Sequence, residues 1–246
     1  MLAVYGFPNS RSLRAVWALE EAGVQYEYHK IELMQGEGRK PPFLEINPGG
    51  KVPALVDGDL TLTESAAICT YIGDRFPTSG LTPPPGTKQR ALYDKWCFFV
   101  IGELEQPLWT LAKHRFVLPE KHRVPAVMDT ALWEFSVALK VLDAELGDRS
   151  HVVGDSFTAA DLLIAHTLGW ALAFKVPVAS ERLNQYAGRM LARPARERAS
   201  RREAGSRWLI GRIRNEINHA IFRDDGDSNS HIVIDCLRTE TRAHCS

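Results

Sequence analysis

The 246-residue sequence has no excess of charge of either sign, and this absence excludes several classes of protein. Its 30 lysines and arginines balance its 30 aspartates and glutamates. Proteins that bind nucleic acid or anionic membrane surfaces need a basic excess for phosphate contacts. No apolar run approaches the ~18 residues of a membrane span, and no signal-peptide pattern opens the chain. We therefore expect a cytoplasmic protein with neither a nucleic-acid nor a membrane partner.

Cysteine is also scarce, and the four that occur have no recognisable pattern. Cys69, Cys97, Cys236 and Cys245 show neither C-x-x-C nor Cys/His ligand spacing, which argues against a disulfide framework or a zinc site. The eight histidines form no metal-ligating pair either, and His166, in an apolar stretch of helical spacing, is interpreted as a satisfied core histidine. Cys69 and Cys97 lie in apolar stretches with helical spacing and are interpreted as reduced core thiols. We expect no metal and no cofactor.

Residues 1–78 have the pattern of a compact α/β domain. Short apolar runs alternate with one stretch of helical spacing, which Gly23 ends, and Asp57-Gly58-Asp59 is a hairpin signal. The predicted order is strand, helix, strand, hairpin and helix. The predicted strands are residues 2–6, 26–31, 52–56 and 60–62, and the main predicted helices are residues 13–22 and 65–76.

The pattern changes after residues 79–88, a linker that contains the consecutive prolines 83–85. Residues 89–200 are predicted to form an all-helical domain, with helices over 88–114, 124–146, 158–174 and 180–191 and a possible bend at Pro107. Residues 201–246 fit no packed pattern. Three interpretations remain open for this tail: a disordered extension, the product of a shifted reading frame or mispredicted gene end, or a nucleic-acid-binding arm.

Two local features within residues 47–65 point to a binding site. Pro53 stands beside an apolar strand, where it can donate no ladder hydrogen bond. Glu64 and Ser65 stand where a helix begins and backbone N–H groups are available to an anion. An extended backbone beside a helix end suits a small peptide-like acid.

Four segments of the chain together resemble the cytosolic glutathione transferases, with motifs like those of bacterial, fungal and theta-like serine-type members. The segments are N-S-R-S-L-R with the following W-A-L-E-E-A-G at residues 9–23, N-P-G-G-K-V-P-A-L at 47–55, the stretch 57–68 and G-D-S-F-T-A-A-D at 154–161. The resemblance covers residues 1 to about 199. It implies a thioredoxin-like α/β first domain, an all-α second domain and a homodimer.

The resemblance also implies a binding mode for glutathione as co-substrate. Pro53 would be cis, and the backbone N–H and C=O of Val52 would pair with the cysteinyl part of the peptide. Glu64 would bind the ammonium group, and the hydroxyl and N–H of Ser65 the γ-glutamyl carboxylate. For the glycyl carboxylate the candidates are Arg39, Lys40 and Lys51.

Glutathione attacks as a thiolate, so the protein has to lower the thiol pKa. A shift of two units from about 8.5 requires about 2.7 kcal/mol of differential stabilisation. A hydroxyl donor and the positive end of a helix are together of the right size. Ser10 and Ser12 both stand between the first strand and the first helix. Ser10 is the first candidate, because its position four residues before Arg14 resembles that of the serine in theta- and delta-like members of the family, and Ser12 and Asn9 are alternatives. The competing interpretation is that Ser10 and Asn9 only cap the helix, and that backbone amides hold the sulfur.

The electrophile is expected to bind between the two domains, in a pocket formed by the first long helix. Its candidate lining residues are Trp96, Phe99, Glu103, Pro107, Leu108 and Trp109, although aromatic spacing of this kind is also typical of a core. Thr158 and Asp161 form a T-x-x-D capping box and are interpreted as structural.

The predicted function is conjugation of glutathione to a small hydrophobic electrophile. Glutathione-dependent peroxide or disulfide reduction is an alternative, but no cysteine stands at the helix start. A second alternative is a non-catalytic regulatory protein that binds glutathione.

Overall fold

The computed structural model describes residues 1–205, and the first part of this range is built on a four-stranded mixed sheet. The strand order is β2-β1-β3-β4; β1 pairs parallel with β2 and antiparallel with β3, and β3 pairs antiparallel with β4. Val4 in the central β1 lies opposite Tyr28 on one side and Leu55 on the other. The strands are β1 Leu2–Gly6, β2 Tyr26–Lys30, β3 Ala54–Asp57 and β4 Leu60–Thr63.

Three helices accompany this sheet: α1 Ser12–Ala22, α2 Pro41–Ile46 and α3 Ser65–Arg75. Helix α1 ends at Gly23, which has φ of +65° and whose N–H bonds to the carbonyl of Leu19, as the sequence predicts. Trp17 on α1 and Ile68 on α3 are fully buried against the sheet. The predicted order of strands and helices in the first domain is confirmed.

The second part is helical. Its helices are α4 Lys88–Phe99, α5 Glu105–Ala112, α6 Val127–Leu146, α7 Ala159–Ala173, α8 Glu181–Leu191 and α9 Pro194–Ala204. π-Helical turns at Val100–Leu104 and Lys113–Val117 join α4 to α5 and extend α5. The long helix predicted over 88–114 is therefore continuous, and Pro107 lies in the first turn of α5.

Asp161 anchors α7, of whose 15 residues ten are buried. Its carboxylate accepts hydrogen bonds from the N–H of Val152 (2.9 Å), the N–H of Thr158 (2.9 Å), the hydroxyl of Thr158 (3.0 Å) and the hydroxyl of Tyr186 (2.7 Å). The capping box is present, and its position in the helical core supports the structural interpretation.

Helix α9 differs from the sequence-based expectation, which ends the helical domain at residue 200. The helix continues to Ala204 and packs along α1. Arg193 pairs with Glu21 at 2.6 Å and Arg198 with Glu20 at 2.9 Å, so two ion pairs hold the helices together. The rest of the predicted tail, residues 206–246, lies outside the described residues.

Candidate functional site

The loop that precedes β3 is shaped by Asn47. Its side-chain oxygen accepts the N–H of Gly49 at 2.9 Å, and its side-chain nitrogen donates to the carbonyl of Lys51 at 2.6 Å. Gly50 has φ of +60°, and a Cβ there would lie 2.4 Å from the carbonyl oxygen of Gly38. The Val52–Pro53 bond is cis, as the resemblance implies.

Val52 follows this loop with its main chain available. Neither its backbone N–H nor its C=O has a hydrogen-bond partner within residues 1–205. Pro53 is buried beside it. An extended peptide can therefore pair with Val52 as an additional strand would.

Helix α3 begins directly after an exposed acidic residue. Glu64 is exposed and has φ of +67°, so it turns the chain sharply into the helix. Ser65 is 5% exposed, and the N–H groups of Ser65, Ala66 and Ala67 have no acceptor among the described residues. Three such N–H groups at a helix start form an anion-binding position.

Arg14 connects this position to the helical domain. Its side chain is fully buried, and one guanidinium N–H donates to Ser65 Oγ at 3.2 Å. A second nitrogen pairs with the carboxylate of Glu105 and donates to Thr167 Oγ1 at 2.8 Å. Because Ser65 Oγ accepts from Arg14, the hydroxyl proton of Ser65 is available to a ligand carboxylate.

Glu105 is the counter-ion of this buried cluster and has a second partner, Arg11, at 2.5 Å. Burial opposes the charged form of Glu105, but Arg14 and Arg11 outweigh it and lower the pKa of the carboxyl below its ordinary value. Glu105 therefore stays ionised at neutral pH.

His166 completes the cluster as a neutral ring. Its Nδ1 accepts from Arg14 Nε at 3.1 Å, so its Nε2 carries the proton and donates to the carbonyl of Ser10 at 3.2 Å. Burial, together with the nearby charge of Arg14, lowers its pKa to about 3. The prediction that His166 is a satisfied core histidine is confirmed. Its ring also holds the turn of Asn9, Ser10 and Ser12 in place through the carbonyl of Ser10.

The three residues predicted to stabilise a thiolate, Ser10, Ser12 and Asn9, lie in the turn between β1 and α1, but their surroundings differ. Ser10 Oγ donates to the carbonyl of Phe7 at 2.6 Å and accepts the N–H of Ser12 at 3.1 Å. Ser12 is fully buried. Asn9 is exposed with φ of +59°, and its side chain has no hydrogen-bond partner within the described range.

Of the predicted pocket residues, Trp109 contacts this turn through Arg11. The guanidinium of Arg11 is 4.8 Å from the ring centroid of Trp109 and 5.2 Å from that of Trp170. Trp96 is only 1% exposed and donates from Nε1 to the carbonyl of Val152 at 3.1 Å, so its ring belongs to the core.

The other predicted lining residues lie around the same long helix. Phe99 is half-buried and packs edge-on against Trp96, and Glu103 is exposed in the first π-helical turn. Pro107 and Leu108 are buried.

A cavity of about 410 Å³ lies between α5, α6 and the end of α7. Trp170 links it to the site, since the same ring faces the cavity and contacts Arg11. Its walls are mainly apolar, with charged residues from three segments. The lining residues are Leu108, Leu111, Ala112, Arg115, Met128, Asp129, Leu132, Trp170, Phe174, Lys175, Val176 and Pro177.

The three candidate cations for the glycyl carboxylate are all exposed. Arg39 extends toward the loop, with one guanidinium nitrogen 3.4 Å from the carbonyl of Gly49. Lys40 precedes α2 and Lys51 precedes Val52. Within residues 1–205 no ion pair engages any of the three.

Residues 1–205 contain no cluster of three or more potential metal ligands. None of the helices in the same range is long and apolar enough to cross a membrane.

Sequence reasoning did not identify the two buried residues that organise the site, Arg14 and Glu105. One signal was available: Arg14 stands among the buried, mainly apolar residues of α1, three positions before Trp17. An arginine on such a face requires a buried acid. Glu105 gives no comparable sign, because its partners are 91 and 94 residues away in the sequence.

The described chain thus joins a sheet domain, in which a helix start is open to anions, to a helical domain with a mainly apolar cavity. Residues 1–74 match the family model "Glutathione S-transferase, N-terminal domain", and residues 106–194 match "Glutathione S-transferase, C-terminal domain". The chain belongs to the glutathione S-transferase family.

Similar proteins occur in plants and bacteria. Glutathione S-transferase 3 of Zea mays is 32% identical over 163 residues, which are 65% of this chain and 73% of that protein. A glutathione transferase of Methylococcus capsulatus superposes with a TM-score of 0.75 at 31% identity, covering 83% of this chain and 99% of that chain. A sphingomonad glutathione S-transferase complexed with glutathione gives 0.72 at 33% identity, covering 82% and 98%.

Proposed function

We propose that the protein binds glutathione along residues 47–65 and conjugates it, through a new bond from its thiolate sulfur, to a small hydrophobic electrophile. The observation that carries the proposal is the start of α3, where three N–H groups and the Ser65 hydroxyl are available to an anion and Arg14 orients that hydroxyl. The γ-glutamyl carboxylate fits there, and the exposed carboxylate of Glu64 fits the ammonium group.

The rest of the peptide follows from this anchor. The unpaired N–H and C=O of Val52 suit the cysteinyl residue. Arg39 is the preferred partner of the glycyl carboxylate, because its guanidinium group already lies against the loop. Lys40 and Lys51 remain alternatives.

The sulfur is proposed to bind at the start of α1, in the turn of Asn9 and Ser10. The Asn9 amide is the exposed side-chain donor, and the backbone N–H groups of Ser10 and Arg11 have no acceptor within residues 1–205. The single proton of the Ser10 hydroxyl is engaged by the Phe7 carbonyl. Ser10 can donate to the sulfur only when its hydrogen bond to the Phe7 carbonyl is released. The buried Ser12 stabilises the turn by accepting the N–H of Phe7.

The cavity beside Trp170 is proposed to take the electrophile. Its volume of about 410 Å³ and largely apolar walls suit an aromatic or aliphatic body of small-molecule size. Trp109 and Trp170 stack on Arg11, the neighbour of Ser10, so the cavity and the sulfur position share a wall. Catalysis would consist of positioning and a lowered thiol pKa.

The alternative in which the protein reduces disulfides through its own cysteine is disfavoured by the described thiols. Cys69 and Cys97 are buried and unpaired. Burial raises the pKa of each to about 12, so neither provides a reactive thiolate at neutral pH. Free buried thiols also fit the expected cytoplasmic location.

An assay with two acceptors in parallel distinguishes the candidate functions. With glutathione and an aromatic chloride activated by nitro groups, we expect a thioether at a rate well above the protein-free control, measured by mass spectrometry. With an organic hydroperoxide, we expect far less glutathione disulfide. Formation of glutathione disulfide without the thioether would establish the peroxidase alternative. Glutathione binding without either product would establish the regulatory alternative.

A homodimer is proposed from exposed apolar side chains on neighbouring helices. Phe98 is 78% exposed on α4, and Trp133, 66% exposed, lies on α6 with Val137 and Val141 at four-residue spacing. Apolar patches of this kind mark interaction surfaces, and a second copy of the chain is the partner that fits a symmetric contact.

Light scattering is expected to give twice the chain mass of 27.5 kDa for the wild type. The double variant Phe98→Glu/Trp133→Glu is expected to give the single-chain mass, because a dimer would bury the two unpaired glutamates of each protomer in its interface. Met34→Glu, at a residue 86% exposed on the first domain, is the matched control and should stay dimeric. A wild type of single-chain mass at micromolar concentration would refute the dimer.

A further inference from the structure

Glu203, near the end of α9, is a buried acid that the proposed chemistry does not use. It is 3% exposed and hydrogen-bonds to the hydroxyl of Ser12, which is fully buried at the start of α1. No cation pairs with it in the part of the chain that the structure describes. The acids of α1 that face α9, Glu20 and Glu21, have their own arginine partners.

Ser12 joins Glu203 to the turn proposed to hold the sulfur. Its Oγ accepts the N–H of Phe7 at 3.0 Å and lies 2.9 Å from both the carbonyl of Phe7 and the Oγ of Ser10. Ser10 Oγ in turn lies 2.6 Å from the same carbonyl of Phe7. An unbroken chain of hydrogen bonds therefore runs from Glu203 through Ser12 to Ser10.

Each hydroxyl in this chain has one proton and can donate one hydrogen bond. When Ser10 donates to the Phe7 carbonyl, the contact between Ser10 and Ser12 needs the proton of Ser12. Ser12 then has none left for Glu203, so the carboxyl group must be the donor and must be protonated.

The ionised form of Glu203 reverses this order. A carboxylate accepts a hydrogen bond from the Ser12 hydroxyl, so the oxygens of Ser12 and Ser10 face each other without a proton between them. Only the Ser10 proton can remove this repulsion, by turning from the Phe7 carbonyl toward the oxygen of Ser12. The ionisation state of Glu203 thus decides where the Ser10 proton points.

The surroundings of Glu203 support titration in the working range of pH. Burial raises its pKa to about 8, while the Ser12 hydrogen bond acts in the opposite direction. Glu203 faces Tyr28 of β2, whose buried hydroxyl has no hydrogen-bond partner among the described residues. Burial also raises the pKa of Tyr28. The cation beside it on α9, Arg202, lies 5.1 Å from the ring of Tyr26.

We propose that Glu203 is a positioning residue for the sulfur-binding turn: its protonated form lets Ser12 donate to Ser10, so that the Ser10 hydroxyl can turn from the Phe7 carbonyl to the thiolate, and its ionised form holds the Ser10 proton between the two serines. The proposal rests on the proposed function. It adds a residue from α9 and a second ionisation to thiol activation.

The test compares pH profiles of kcat/KM for thioether formation from about pH 6 to about pH 10. The wild type is expected to show two ionisations, that of the bound thiol and that of Glu203. Glu203→Gln, which cannot ionise and can donate to Ser12 as the protonated acid does, should keep only the first, and its rate at high pH should be several-fold higher than that of the wild type. Glu134→Gln, at an exposed residue on α6, is the matched control.

Two further measurements keep the test decisive. Ser12→Ala breaks the chain between Glu203 and Ser10 and should also leave one ionisation, even if Glu203→Gln does not fold. A wild type that fails to bind glutathione contradicts the proposed function. Glutathione binding with superimposable profiles for the wild type and both variants contradicts the role of Glu203.

Discussion

Replacing Glu105 with alanine is expected to lower the free energy of unfolding by about 3–5 kcal/mol. The substitution leaves the guanidinium of Arg14 fully buried without a counter-ion. Its remaining partners, Ser65 Oγ, His166 Nδ1 and Thr167 Oγ1, are neutral and cannot compensate a charge. Arg11 also loses the carboxylate that fixes it above Trp109.

Chemical denaturation of the wild type and variant measures this loss. Glu103→Ala, two residues earlier and exposed, is the control and is expected to change stability by less than about 0.5 kcal/mol. The double variant Arg14→Met/Glu105→Leu should recover most of the loss, because it removes both charges and keeps the volume. A loss below about 1 kcal/mol for Glu105→Ala would show that water reaches Arg14 and that the cluster is not a sealed ion pair.

Removing the charge of Glu64 is expected to weaken glutathione binding about 10–100-fold. A hydrogen bond between charged groups contributes about 1.5–3 kcal/mol, and each 1.4 kcal/mol is a factor of ten in Kd. Glu64→Gln is the preferred variant, since it keeps the side-chain shape at a residue whose φ is +67°. Glu64→Ala adds the loss of every side-chain contact and should bind at least as weakly.

Isothermal titration calorimetry with glutathione measures the change. Asp59→Asn, at the exposed tip of the β3–β4 hairpin, is the matched control and should bind like the wild type. Glutathione that lacks the γ-glutamyl amine should bind the wild type and Glu64→Gln equally. An unchanged Kd for Glu64→Gln with intact glutathione would remove Glu64 from the ammonium position.

Local sequence signals were sufficient for the sheet domain. Alternating strands, the hairpin turn at Asp57-Gly58-Asp59 and the glycine after α1 are features that neighbouring residues determine. The cis bond at Pro53 required the family resemblance, because an isolated proline beside a strand does not predict it. In the helical domain the capping box at Thr158 and Asp161 marked the start of α7 correctly.

Helix α9 was missed for a physical reason. Its buried face consists of Ala195, Ala199 and Glu203, so the four-residue spacing is present but the side chains are too small or too polar to register as apolar. The π-helical turns around α5 likewise depart from the 3.6-residue period. The clusters around Arg14 and Glu203 join segments distant in sequence, and no local pattern specifies such pairs.

The most direct test of the account is the ionisation of glutathione bound to the wild-type protein. Ultraviolet absorbance of the thiolate, titrated with pH in the presence and absence of protein, gives the pKa of the bound thiol. We expect it about two units below the free value of about 8.5, with Asn9→Ala reversing part of the shift and Asp59→Asn none. A bound thiol with the pKa of free glutathione would contradict thiol activation at the start of α1.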